Sequence, residues 1–369
     1  MTGSDREGGG GTERERGREG ERTTRRTSPA KGVSSLLGTK GRRNSRREMV
    51  EERRTAGGAS KRARASWEEE RMEERDVQKE HVLLRTSNVK AIAAVMEAVK
   101  TSTRQTSILS LTEEGLTVRC EEAAKTMHST AFVGADVFGT YQVADARVTI
   151  GLEHHNLVDA LHVFAQSTVG ELTIVYPSKD GEMLLELEEV VAGTAVSTYA
   201  RIRTVVVNPI IDWMTYWEEP STSFITSGDL LREVVDDLDG ASGSVCVTVL
   251  KSPAKVTFVA GNASDLSIEI PVTTLLAHHF QQAYTENYYN FRHLKIGLGG
   301  LNSSRDTIQD VKSNVKIDKK GLFKVVHMLN LPAAQHLRMH VTQTNNNLAI
   351  PGREGLACTL TYFLQPQET

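Results

Sequence analysis

A pattern of one strand, one helix and several antiparallel strands recurs four times after residue 80. That recurrence limits the fold more than any single motif in the chain. In the first round a strand at His81–Arg85 precedes a helix capped by Ser87 or Asn88 and running to Lys100. Its apolar stripe, Val89, Ile92, Ala93, Met96 and Val99, has helical spacing. Ile108–Leu111 then leads through Glu113-Glu114-Gly115 to Leu116, Val118 and Cys120, which alternate with polar residues as a half-buried hairpin does. A further strand covers Met127–Gly134.

The second round places a strand at Val148–Leu152, a helix over Glu153–Ala165, and strands at Leu172–Tyr176, Met183–Glu188 and Ala195–Ile202. The third has a helix over Gly228–Leu238 and strands at Val245–Leu250, Val256–Ala260 and Leu266–Ile270. The fourth reads as a strand at Tyr289–Leu298, a short helix at Leu301–Val311, a hairpin turning at Asp318-Lys319-Lys320-Gly321, and a last strand at Leu356–Phe363. Helix starts near 87, 153, 228 and 301 give a nearly fixed period, the mark of a repeat architecture. The fold class is therefore α+β, with two domains of two units each. The expected organisation is a charged tail at 1–80, domain 1 at 81–202, a connector at 203–220 and domain 2 at 221–369, with a polar insertion at about 331–353.

The net charge of -3 conceals two different segments. Residues 1–80 carry 21 Lys/Arg against 16 Asp/Glu and a single aromatic, Trp67. Such a segment buries too little apolar surface to offset the entropy of ordering, so it reads as a disordered tail. Its clusters Arg42, Arg43, Arg46, Arg47 and Lys61, Arg62, Arg64 suit nuclear import or loose phosphate contact, and equally a solvated tail. The remaining residues hold 23 Lys/Arg and 31 Asp/Glu, which argues against a high-affinity nucleic-acid groove. No run approaches the ~20 apolar residues of a membrane span, and the first residues lack the apolar stretch of a secretory leader. Cys120, Cys246 and Cys358 are too scattered for a disulfide framework or a CxxC metal site.

Catalytic patterns are weak. Two-metal nuclease chemistry needs converging carboxylates. The candidates are Asp236, Asp237 and Asp239, or Glu186, Glu188 and Glu189; they read as a solvated helix face and an exposed strand face. His154-His155 and His278-His279 are adjacent pairs, whose side chains diverge in a strand or a helix, so a shared metal is not expected. No P-loop or GxSxG elbow is present. The expectation is a chain with no catalytic residue, no metal and no cofactor. The connector is different: Val207, Ile210, Ile211, Trp213, Tyr216 and Trp217 make it apolar and aromatic, so it either packs on its own domains or helps form a partner groove.

The pattern resembles the sliding clamps related to proliferating cell nuclear antigen. More narrowly it is similar to the Rad-one subunits of the heterotrimeric nine-one-one checkpoint clamp. The resemblance rests on Asn88-Val89, on Glu114-Gly115-Leu116-Thr117-Val118 with Glu121, and on Ala131-Phe132 and Val137-Phe138. It continues in Asn156-Leu157-Val158-Asp159-Ala160-Leu161 with Phe164, in Leu230-Leu231-Arg232-Glu233 before Leu238-Asp239, and in Ser313-Asn314-Val315-Lys316-Ile317 before Gly321-Leu322. It implies two βαβββ units per domain, with helices facing a central channel. It also implies a nuclear, non-catalytic ring subunit that acts in DNA damage signalling and repair. Its partners would be two homologous subunits, an ATP-dependent clamp loader, double-stranded or junction DNA held topologically, and peptide-motif repair and checkpoint factors; no membrane is involved. Channel candidates are Lys90, Lys100, Arg104, Arg232 and Arg305. Ring-closing strand edges are expected near Leu172–Tyr176 and Leu322–Leu329. The alternatives are a 3′–5′ DNA exonuclease, a label this family has carried, and a homotrimeric replication clamp.

Overall fold

Four strand–helix–three-strand units follow one another in the computed structural model, which describes residues 81–167, 170–191, 193–238, 243–260, 266–299, 308–331 and 358–368. These residues all lie within one compact unit. The first unit is β1 (Val82–Thr86), α1 (Val89–Ala98), β2 (Thr106–Thr112), β3 (Gly115–Glu121) and β4 (Met127–Gly134), followed by a short β5 (Thr140–Val143). The second is β6 (Val148–Glu153), α2 (His154–Phe164), β7 (Glu171–Tyr176), β8 (Met183–Val191) and β9 (Thr194–Ile202). A two-residue β10 (Thr204–Val205) comes next. The third unit is β11 (Pro220–Ser227), α3 (Gly228–Asp237), β12 (Ser244–Lys251), β13 (Ala254–Ala260) and β14 (Leu266–Pro271), followed by β15 (Ala277–Phe280). The fourth is β16 (Tyr284–Asn290), α4 (Phe291–Gly299), β17 (Gln309–Asp318), β18 (Phe323–Asn330) and β19 (Cys358–Leu364).

Every strand pairing among the described residues is antiparallel. Three sheets result, in the orders β5-β1-β7-β8-β9, β10-β6-β2-β3-β4-β19-β18-β17-β11-β15 and β14-β13-β12-β16. The ten-stranded sheet joins the two halves of the chain at β4 and β19, in unbroken register from Met127↔Leu364 to Val133↔Cys358. Helix α1 packs on α2, and α3 on α4.

The first three helices form where their apolar spacing predicts, ending one or two residues early. Ser227 Oγ caps α3 by accepting from Leu230 N at 3.2 Å. The turn before β18 is held as its residues suggest. Asp318 Oδ1 accepts from Lys320 N and Leu322 N, both at 2.8 Å, and Gly321 takes φ +83°.

The fourth unit corrects the sequence reading. The strand ends at Asn290 and the helix occupies Phe291–Gly299, where a strand was expected. Phe291, Leu294 and Leu298 are its buried stripe, at spacings three and four. Two glycines disguise it, since each costs a helix about 1 kcal/mol relative to alanine. Gly297 is there for close approach: a Cβ would stand 3.2 Å from Leu364 Cδ1, and its carbonyl accepts from His327 Nε2 at 2.7 Å. Residues 301–307, and with them Arg305, lie outside the described residues. So do the tail at 1–80 and positions 332–353 of the insertion.

The expected ring edges are also corrected. β7 lies between β1 and β8, and β18 between β17 and β19, so both are interior. Among the described residues the five-stranded sheet ends on β5 and β9, and the four-stranded sheet on β14 and β16.

Alternate residues of β19 tie the halves together. Tyr362 is fully buried, and its hydroxyl donates to Ala98 O, at the end of α1, at 2.8 Å. Beside it Arg292 Nη2 donates to Thr101 O at 3.1 Å, and His293 meets the Glu122 carboxylate at 2.8 Å. Tyr362→Phe strands a buried carbonyl, so it should cost about 1–3 kcal/mol without changing the fold. Urea denaturation of the two chains, with circular dichroism as the probe, measures this; equal midpoints would show that the bond adds nothing.

Candidate functional site

Strand alternation places one row of side chains across four strands of the large sheet. Glu121 pairs with His128, His128 with Phe363, and Phe363 with Lys324. Arg119, Thr130 and Thr361 form the next row on the same face. The connector crosses this face. After β10 it makes a single 3-10 turn, Trp213–Thr215, with Asp212 as cap: its side chain accepts from Met214 N at 3.0 Å, and its carbonyl from Thr215 Oγ1 at 2.7 Å.

Trp213 is only 6% exposed. Its ring stacks on His128 at 6.2 Å and 26°, leans on Phe363 at 6.2 Å, and donates from Nε1 to Glu121 Oε1 at 3.2 Å. Trp217 stands edge-on to Phe363 at 5.9 Å. Lys324 lies 5.1 Å from the Phe363 ring centre and 5.5 Å from that of Trp217, within cation–π range. Trp213, Leu322 and Phe363 form a cluster separate from the main core. A cleft of about 230 Å³ remains beside Trp213, lined by the apolar Ile211, Met214 and Phe363 and by the polar Arg119, His128, Asp212 and Lys324.

His128 is 5% exposed; Nε2 and Thr130 Oγ1 share a hydrogen bond of 2.9 Å, while Nδ1 is buried and finds no partner among the described residues. Burial first, and the nearby Arg119 charge second, push the imidazole down to about 4. Burial, and then the charge of Lys316, also lowers Lys324.

Three of the six connector candidates line this site: Ile211 and Trp213 at the cleft, and Trp217 over Phe363. Tyr216 is 62% exposed. Val207 lies near Gly151 of β6, where a Cβ would come within 3.1 Å of it, and Ile210 is half-buried outside the cleft. The residues sequence reasoning missed are Arg119, His128, Lys324 and Phe363. Their alternation was visible, but not the strand neighbours that make them one row.

Of the channel candidates, Lys90 is exposed on α1 and Arg104 is exposed beyond it. Lys100 pairs with Glu97 at 3.4 Å. Arg232 is buried and held by Asp229, so its charge faces its own helix. The corrected α4 brings in two missed cations, Arg292 and Lys295. By contrast the exposed residues of α3 include Asp229, Glu233, Asp236 and Asp237.

The carboxylates weighed for catalysis are dispersed. Glu186 is buried in the five-stranded sheet, which corrects its reading as part of an exposed face; Glu188 is exposed, and Asp239 lies outside the described residues. His154 is buried and donates from Nε2 to Met96 O at 2.8 Å. Among the described residues no group of three His, Cys, Asp or Glu side chains is placed to hold a metal, and no helix is long and apolar enough to cross a membrane.

Solved structures with the same arrangement define the fold class. The chain matches the PCNA2–PCNA3 complex of Sulfolobus tokodaii with a TM-score of 0.59 at 13% identity, over 77% of this chain and 99% of that one. It matches the proliferating cellular nuclear antigen of Entamoeba histolytica with 0.58 at 12%, over 78% and 99%. This is the α+β fold of the sliding clamps. Within that class, residues 83–329 match the family model described as Repair protein Rad1/Rec1/Rad17, and the chain belongs to that family. It is 27% identical over 250 residues to the mouse cell cycle checkpoint protein RAD1, covering 66% of this chain and 84% of the mouse protein, and 25% identical to the human protein of that name.

A pH dependence follows from His128. Its folded value lies below the ordinary one, so the unfolded chain takes up the proton first as pH falls. The stability it confers is complete above about pH 6.5 and is lost as pH falls toward about 4. His327, also pushed to about 4 by burial, adds to the same window. Denaturation midpoints from pH 7 to 4 should therefore decline, and less steeply in His128→Asn. An identical slope in that variant would contradict the assignment.

Proposed function

We propose that this protein is a non-catalytic subunit of a heterotrimeric checkpoint clamp, which encircles DNA in the nucleus and acts in damage signalling and repair. The observation that carries this reading is membership of the Rad1/Rec1/Rad17 family in a chain with the sliding-clamp fold. Two homologous subunits complete the ring, and an ATP-dependent loader opens it around double-stranded or junction DNA.

The free strand edges support ring closure. Among the described residues the outer backbone groups of β9 and β14 have no sheet partner, and edges of this kind are completed by a strand from another chain. Val196 and Tyr199 on β9 and Leu266 on β14 are exposed apolar residues for such a joint. Two different edges make the contact heterologous, the kind that generates rings.

On this reading the helices line the channel and the DNA is held by topology. Only a modest positive lining is then needed. Lys90, Lys100, Arg104, Arg292 and Lys295, drawn from α1, α4 and the loop that Arg292 holds, supply it. The acidic side chains of α3 keep the lining weak over the rest of this subunit's arc, which suits a clamp that slides. The cleft beside Trp213 is the docking groove for peptide motifs of repair and checkpoint factors.

The test is solution mass by light scattering, for the chain alone and co-expressed with its two sister subunits. A monomer alone and a 1:1:1 assembly together are expected, with Tyr199→Asp weakening the assembly. A homotrimer would indicate a replication-type clamp. Indifference to the sisters, accompanied by metal-dependent 3′–5′ hydrolysis, would replace this reading with the nuclease one.

A further inference from the structure

The segment lying in the groove is bound in an unusual way for a structural element. Its backbone makes no sheet ladder. Among the described residues, main-chain hydrogen bonds from 206–217 stay inside the turn: Thr215 N to Asp212 O, Tyr216 N to Trp213 O and Trp217 N to Met214 O. What attaches the turn to the sheet is a set of side chains, chiefly the Trp213 ring and its bond to Glu121, the Trp217 edge on Phe363, and Lys324 Nζ donating to Met214 Sδ at 3.3 Å. Just beyond the turn, Glu218 N reaches Asp318 Oδ2 at 3.3 Å. Val206 is 86% exposed, and Ile211, Met214 and Tyr216 are also exposed. A segment with no ladder, exposed along most of its length and anchored mainly by one buried ring, belongs to the low-stability end of a fold and opens locally.

The groove also bears the marks of a ligand site. Beside Phe363, the apolar side chain that the sheet itself contributes, lie Arg119 and Lys324, with the buried Nδ1 of His128, which finds no partner among the described residues. Asp212 is close enough to act on His128 electrostatically. The occupant is thus an acidic residue followed by an indole, set against a basic and aromatic surface.

We propose that the Ile211–Trp217 turn is a displaceable self-ligand of this groove, and that partner peptides replace it with an acidic residue next to an aromatic one. The proposal rests on the groove being a docking site, as argued above, and adds both the chemistry of the peptide and its regulation. A tethered segment acts at an effective concentration of about 1 mM. If its intrinsic Kd is about 100 µM, the groove is open roughly a tenth of the time, and partner affinity falls about tenfold. Contacts that draw the connector away would raise affinity by that factor.

A synthetic fluorescent peptide with residues 209–219 of this chain tests it, by anisotropy against the full chain. It should bind Trp213→Ala, whose groove is vacated, at least about tenfold more tightly than the wild type. A peptide with Asn in place of its Asp should bind several-fold more weakly, and added salt should erase that difference. Asp212→Ala in the protein removes both the cap of the turn and its acidic side chain but keeps the indole, and should shift affinity in the same direction by less; it serves if Trp213→Ala fails to fold. Absence of binding to a folded Trp213→Ala chain, equal binding to variant and wild type, or indifference to the acid would each overturn the proposal. Failure of the docking reading is distinguishable. A repair or checkpoint peptide that binds wild type and Trp213→Ala equally well, and competes with nothing in the groove, sinks that reading, whereas the self-peptide experiment measures the turn alone.

Discussion

The pairing of β4 with β19 is the interaction on which the rest of the structure depends. The last strand of the chain inserts beside a strand of the first unit and turns two half-sheets into one sheet of ten. Alternation then gives β19 two tasks. Tyr362 points into the core, where its hydroxyl satisfies the last turn of α1, while Phe363 points out and forms the floor of the connector groove. The seam that unites the halves and the surface proposed for partners are thus opposite faces of the same strand. Glu122 reinforces the seam. Burial alone would raise its carboxyl, but the bond from Thr126 and the His293 ring outweigh burial and hold it below the usual range.

On the proposed reading, charge is arranged to suit a ring that holds DNA loosely. Arg292 bridges α4 to Thr101, so the cations of α4 and of the loop after α1 come together where the two halves meet. The exposed charges of α3 are acidic, and its single arginine is spent on Asp229. In the proposed ring, a lining of this kind supplies long-range attraction without a tight groove. An overall acidic body is no obstacle to topological retention.

Much of this was legible in the sequence, and the parts that were not share a cause. Helices α1 to α3 follow from local apolar spacing and lie within two residues of expectation. Helix α4 was hidden because Gly297 answers to a neighbour, Leu364, that is remote in sequence. The ring edges were misplaced because edge or interior is decided by partners: β7 reads as an ordinary strand, and only β1 and β8 on either side make it internal. Glu186 reads as exposed by alternation, yet it is buried. Trp213, Trp217 and Ile211 drew notice as apolar residues in a connector. Their counterparts Arg119, His128, Lys324 and Phe363 required the register of four strands, which no local pattern supplies.

The central claim is that a ring containing this chain holds DNA by enclosing it. The most direct measurement is retention of the loaded three-subunit assembly on nicked circular DNA in high salt, before and after the circle is cut. Salt screens phosphate contacts but cannot open a closed ring. Salt-resistant retention on the circle and prompt release on linearisation are expected. Release by salt from the intact circle, or equal retention on linear DNA, would contradict it.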